Sequence, residues 1–300
     1  MNIGRLRTFI VLTEYLNFSE AAEYLFCSQP TVSMQIRTLE EELGCVLFDR
    51  VGKKIHLNQQ GEAFKPYAEK IINLWQESKD NAQQISSGEQ GTLAFGASNF
   101  VGVYLIPSIL NSFKTSYTKV KVNIQIRSSP TLLKQLENND VEFLVLSDKI
   151  KVNENHYQTN LFYQDELILV VPPGHPLAEK QNVQPYMIEN YTLLWKPKHS
   201  ATREFLEQML KGHLISISNY MEISSLEAIK QGVIHSLGIA FISRFAVSQE
   251  LKSGILKHVF ISDLNIKRGI MYVTRKDKIL SPAAKRFISL LPMIKEQNSS

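Results

Sequence analysis

The chain has 300 residues, 44% of them hydrophobic and 21% charged, with a formal net charge of +4; that length exceeds one typical domain and allows a large core. No apolar run approaches the roughly 18 residues that would span a bilayer and the N-terminus lacks a secretory pattern, so a cytoplasmic protein without membrane partners is expected. The two cysteines, Cys27 and Cys45, have no metal-ligand spacing and read as small buried apolar residues rather than as a disulfide.

The first predicted helix carries Ile3, Leu6, Phe9, Ile10, Thr13 and Leu16 on one face and ends near Asn17. Ser19 is placed to cap a short second helix through Ala21, Ala22 and Leu25 that stops at Cys27, and Ser28 to cap a third with Pro30 in its first turn. The second and third helices could form an antiparallel hairpin, but Ala21 and Ala22 are small enough for a close, steep crossing, which favours a helix-turn-helix. In the third helix Val32, Ile36, Leu39 and Leu43 form an inward stripe. The opposite face of its first two turns carries Pro30, Ser33, Met34 and Arg37, with Ser28, Gln29 and Thr31 at the N-terminal edge. Glu40, Glu41 and Glu42 occupy the other half, where phosphate would repel them, so the N-terminal half is expected to enter the major groove of double-stranded DNA. That placement carries the DNA argument, because basic and acidic residues otherwise offset one another across this segment.

Gly44 closes the helix, and Val46-Leu47-Phe48 and Lys54-Ile55-His56-Leu57 read as a hairpin, or wing, joined through Arg50-Val51-Gly52-Lys53. Arg50, Lys53 and Lys54 cluster near its tip, either as a solvated turn or, behind a helix-turn-helix, as contacts to phosphates and the minor groove. Ala21-Ala22, Ser28-Gln29-Pro30-Thr31-Val32-Ser33, Ile36, Leu39-Glu40, Leu43-Gly44 and Leu47-Phe48-Asp49-Arg50 together resemble the LysR-type transcriptional regulators. The resemblance covers essentially the whole chain. It implies a DNA-binding homodimer, usually assembled into a homotetramer and controlled by a small-molecule co-inducer, with promoter DNA and RNA polymerase as partners.

From Asn58 onward Phe64, Ala68, Ile71, Trp75, Ser78, Ala82 and Ile85 recur at steps of four and three, the seam of a coiled coil. A second copy of this helix is the expected cover, which would set two reading helices about one DNA turn apart; packing on the chain's own C-terminal domain is the alternative. Pro66 is discordant inside a helix. The helix is expected to end near Ser86-Ser87-Gly88, with Gly88 and Gly91 as a hinge.

Beyond Gly91 the pattern becomes α/β, with strand-like runs at residues 93–97, 120–126, 141–146, 167–171 and 239–242. The resemblance implies two α/β subdomains of periplasmic-binding-protein type, crossed near Tyr163 and again near Ile266. Expected boundaries are therefore 1–58 for an N-terminal all-α winged helix-turn-helix, 59–88 for the linker helix and 89–300 for the effector domain. The latter divides into subdomain I (about 91–162 and 267–300) and subdomain II (about 163–266).

Hydroxyl and amide side chains stand at several predicted helix N-termini: Ser98 and Asn99, Ser128, Ser129 and Thr131, Ser200 and Thr202, Ser224 and Ser225. Each alone reads as an ordinary cap, yet several N-termini converging on one cleft would suit a small anion. Ser98, Thr131, Thr202 and Ser225 are the first choices for effector contacts, then Arg203 as a charge partner, unless it faces water. The loop over residues 198–201 departs from the glycines common in the family, and His235 reads as a packed or surface histidine. The sequence has no Walker loop, G-x-S-x-G elbow or H-E-x-x-H and no clustered metal ligands, so an enzyme is not expected, and no cofactor beyond the co-inducer. An architectural DNA-binding protein would leave the long α/β stretch unexplained.

Overall fold

A computed structural model of the chain describes residues 2–51, 54–87, 91–181 and 183–293. Contacts divide it into two units, Met1–Gly88 with Glu137–Asp140, and Glu89–Leu136 with Val141–Ser300. Among the described residues no helix is long and apolar enough to cross a membrane.

The first unit opens with α1 (Ile3–Tyr15), capped by Asn2, whose side chain accepts from Gly4 N at 2.7 Å. Leu6, Phe9, Val11 and Leu12 are buried, a wider face than the expected stripe, because α1 is covered from more than one side. Leu16, assigned to that stripe, instead closes the helix in the left-handed region and is exposed. α2 (Phe18–Tyr24) is capped by Asn17 rather than Ser19. Asn17 stands just outside the helix, where its Oδ1 reaches Ser19 N at 2.9 Å and Glu20 N at 3.4 Å, whereas Ser19 already lies within the first turn. α3 (Gln29–Leu43) has Ser28 as its cap and ends at Gly44, whose φ of 70° suits a residue without Cβ. Val32, Ile36 and Leu39 are buried on α1 and α2; Leu43, expected to complete the stripe, is partly exposed in the last turn.

β1 (Phe48–Val51) pairs antiparallel with β2 (Lys54–Leu57), Phe48 opposite Leu57. The first wing strand begins at Phe48 and not at Val46, because Leu47 is buried with its N–H bonded to Glu40 Oε1 at 2.8 Å. α4 (Gln59–Ser87) continues through Pro66. The front of its seam packs in part on the chain's own winged helix-turn-helix: Ala68 is buried and Phe64 and Ile71 half-buried against the core of this same unit, with the Phe64 and Phe9 rings 5.3 Å apart. Trp75 and Ser78 are exposed, together with Tyr67 and Leu74; the side chains of Ala82 and Ile85, and Gly88, lie outside the described residues.

In the second unit β3 (Gly91–Ala97), a π-helical turn (Val101–Leu105), α5 (Ile106–Ser116), β4 (Val120–Ile126), α6 (Ser129–Glu137) and β5 (Phe143–Ser147) build a parallel sheet. Phe95 and Phe143 stack at 4.9 Å beneath Phe287 on one face. On the other, a Cβ at Gly96 would meet Leu132 at 2.7 Å, so glycine lets α6 lie close to β3. β6 (Tyr157–Val171) then leaves this lobe for a second one, and β7 (Leu193–Trp195), α7 (Ala201–Gly212), β8 (Tyr220–Glu222), α8 (Leu226–Ile234), β9 (Ala240–Ser243), α9 (Ser248–Lys252) and β10 (Lys257–Val259) follow. β11 (Ile266–Arg275) returns along β6, and α10 (Pro282–Leu290) brings Phe287 onto the first lobe. The pairing of β6 with β11 is irregular beside Ile270, where Tyr163 and then Leu161 are partners and Phe162 is passed over. Leu169, Leu206, Leu210 and Phe241 centre the second lobe's core.

Candidate functional site

Two surfaces concentrate the residues singled out by sequence. On α3, Ser28, Gln29, Pro30, Met34 and Arg37 are exposed and Thr31 and Ser33 half-buried. Ser28 and Thr31 exchange a hydroxyl hydrogen bond at 2.8 Å, and Ser28 Oγ also accepts from Thr31 N at 3.4 Å, so both are ordered within the helix entrance. The three glutamates are tied locally. Glu40 accepts from Leu47 N, Glu41 pairs with Arg37 at 3.0 Å, and Glu42 pairs with Arg5 at 2.6 Å. Arg37 is 81% exposed, so its pair with Glu41 is screened and easily exchanged for another acceptor. Arg50 and Lys54 occupy wing strands but their side chains lie outside the described residues, as does Lys53 altogether. Sequence reasoning passed over Phe26, which holds a φ of 51° in the turn before α3 and is 98% exposed.

The second surface is a cavity of about 400 Å³ between the two lobes of the second unit. Of the expected contacts, Ser98, Asn99, Ser129, Ser200, Thr202, Arg203 and Ser224 line it. Thr131 and Ser225 do not, and in each case the hydroxyl is engaged elsewhere. Thr131 bonds Ser128 Oγ at 2.8 Å, and Ser225 caps α8 by accepting from Ala228 N at 3.3 Å. Ser200 stands at the cap position of α7 yet makes no side-chain cap bond.

Arg203 neither faces water nor is free. It is 3% exposed, stacks on Trp195 at 4.5 Å, and pairs with Glu207 at 2.8 Å and with Glu222. These carboxylates hold its guanidinium above the usual range although burial pulls the other way.

The cavity also exposes groups the sequence reading missed, Arg127, Ser147, Lys196, His199 and Arg268 among them. Arg268, on β11, is 4% exposed and binds Asp165 of β6 through Nε and Nη2, both at 2.8 Å, while Nη1 donates to Thr202 Oγ1 at 2.9 Å. Asp165 is 1% exposed and accepts from Ser243 Oγ at 2.6 Å; burial pushes its carboxyl up, and Arg268 and Ser243 pull against that. Asp165 and Arg268 are register partners across the crossing strands but 103 residues apart in sequence, which is why no local pattern reveals the pair. Lys196 donates to the Ser224 carbonyl, and burial lowers its ammonium to about 8. Among the described residues that line it there is no aspartate or glutamate. Basic donors, hydroxyls and the N-terminus of α7 therefore meet in a space that favours negative charge. Among the described residues, no group of three His, Cys, Asp or Glu is placed to hold a metal.

Residues 3–62 match the profile of the bacterial regulatory helix-turn-helix protein of the lysR family, and residues 86–293 that of the LysR substrate binding domain. The chain is 33% identical to a protein of Thalassiosira pseudonana described as a probable RuBisCO transcriptional regulator, over 98% of this chain and 97% of that one. Among solved structures it is similar to CbnR, a LysR family regulator determined in complex with target DNA, at a TM-score of 0.75 and 19% identity over 98% of this chain and all of that one. The regulatory domain of CcmR from Synechocystis PCC6803, determined in complex with 2-PG, matches at a TM-score of 0.62 and 22% identity, covering 70% of this chain and 99% of that domain. The chain belongs to the LysR family of DNA-binding transcriptional regulators, with a winged helix-turn-helix followed by an effector-binding domain.

Proposed function

We propose that the exposed face of α3 reads base edges in the major groove of a promoter, and that a small anion held between the two effector lobes sets the geometry of that complex. The observation that carries the second half is the cleft itself, where Arg127, Lys196, Arg203 and Arg268 meet helix-entrance hydroxyls without a lining carboxylate. A ligand preferring one lobe arrangement by about 100-fold supplies roughly 2.7 kcal/mol, enough to redistribute arrangements close in energy. The DNA half is supported by the exposed Gln29, Pro30, Met34 and Arg37 and by the likeness to CbnR, which was determined on its target DNA.

The working form on DNA is a homodimer or a dimer of dimers. Tyr67, Leu74 and Trp75 leave an apolar stripe outward on α4 at spacings of seven and eight, which a second copy of that helix would bury. RNA polymerase is the further partner, and the cytoplasm, where promoter DNA lies, the site of action. Footprinting on a promoter fragment recovered by unbiased selection, with and without a panel of organic and inorganic anions, tests the whole reading. The footprint changes in length or in its bend-sensitive positions with at least one anion. A protein that prefers no fragment over scrambled duplex defeats the reading, and a footprint indifferent to every anion defeats its second half.

A further inference from the structure

The charges of the cleft do not count equally, and their arithmetic narrows the ligand beyond "an anion". Arg268 is already neutralised by Asp165, and Arg203 by Glu207 and Glu222. Arg127 is exposed at the rim, where water screens it, and donates to the backbone carbonyl of Ile126. Lys196 remains. Among the described residues no carboxylate lies within ion-pair distance of it, and it is bonded to the carbonyl of Ser224. Among the described residues Lys196 is thus the inner ammonium or guanidinium of the cleft without a carboxylate partner, while the guanidinium of Arg268 keeps N–H donors beyond those used by Asp165 and Thr202.

The walls are of the opposite character. Phe100 and Ile126 from one lobe and Trp195, Leu226 and Phe241 from the other line the same space. A cavity of about 400 Å³ has room for many solvent molecules. A bare oxyanion would leave most of them against apolar side chains, and a second negative charge would lie there without a counter-charge.

We propose that the effector is an organic monoanion: one carboxylate on an aromatic or branched-alkyl body, with its head at Lys196, Thr202 and Arg268 and its body against Phe100, Trp195 and Phe241. This rests on the anion reading above and specifies the chemistry of the ligand. The full-length protein is titrated by calorimetry with acetate, butyrate and phenylacetate, with phenylacetamide as the uncharged isostere, and with inorganic phosphate and with 2-PG, the ligand of the CcmR domain. Affinity rises along the carboxylate series, phenylacetate exceeding acetate by about tenfold or more, and phenylacetamide binds about tenfold more weakly than phenylacetate. Lys196→Met brings phenylacetate down to the level of phenylacetamide while the unfolding temperature is held or raised. A flat carboxylate series, or phosphate or 2-PG binding more tightly than phenylacetate, overturns the monoanion with an apolar body and leaves the anion cleft standing. Absence of binding by every carboxylate and phosphate removes the anion reading as well.

Discussion

On α3, Gln29, Pro30, Met34 and Arg37 project into solvent, and replacing one of them disturbs little beyond its own helix. In the cleft, Arg268, Asp165 and Ser243 bond one another in a buried chain that ends on the half-buried Thr202, and none of the three can change alone. The first surface is preorganised by backbone geometry and leaves its side chains able to exchange partners. The second is preorganised by mutual pairing, which holds charge at a fixed point at the expense of tolerance to substitution.

The sharpest test of that contrast is Asp165→Ala, which strands a buried guanidinium. We expect a loss of about 3–5 kcal/mol in chemical denaturation, with Asp165→Asn losing less because its amide oxygen still accepts from Arg268 while its NH2 donates to Ser243 Oγ. A loss below 1 kcal/mol would mean that the cleft is as loosely held as the helix face. Arg37→Ala leaves stability within about 0.5 kcal/mol but weakens binding to the selected DNA by about 1–3 kcal/mol, with little change on random duplex. Lys53→Ala weakens binding to both DNAs and reduces the salt slope by about one. Equal losses on both DNAs for Arg37→Ala would move that residue from base edges to the backbone.

Titration separates the surfaces in another way. Lys196 is lowered to about 8 from 10.5 by burial, so above pH 8 the cleft loses its uncompensated charge and anion affinity falls, at most about tenfold per pH unit. In the same interval the ligand-free fold gains stability, because up to 10.5 the unfolded chain holds a proton that the folded chain has released. Calorimetry across pH 7–10 reads the first trend and denaturation the second; affinity constant over that range would remove Lys196 from the ligand. The smallest effect is expected at Phe26. Relieving its left-handed backbone with Phe26→Gly raises stability by about 1 kcal/mol, since a side chain 98% exposed gives up almost no packing.

Legibility in the sequence follows the same division. Ser28, Pro30, Val32, Ile36, Leu39 and Gly44 announce α3 because caps, period and stop are local signals within one segment. The cleft was legible only through hydroxyls beside predicted helix starts, and that signal cannot tell a cap from a ligand donor. Ser225 spends its oxygen on Ala228, while Ser200 makes no such bond. Arg268 and Lys196 carry no local signature, since a strand arginine and a loop lysine acquire meaning from Asp165 and Ser224, far away in the chain. The linker is legible only in part for a related reason: a stripe of Phe64, Ala68 and Ile71 states that something covers it, without stating what.

The second lobe is a single excursion of the chain, leaving along β6 and coming back along β11, so the two lobes share a ribbon two strands wide. Asp165 and Arg268 face each other on that ribbon. The guanidinium a ligand would grip is therefore fixed to the strands that both lobes have in common rather than carried by either lobe alone.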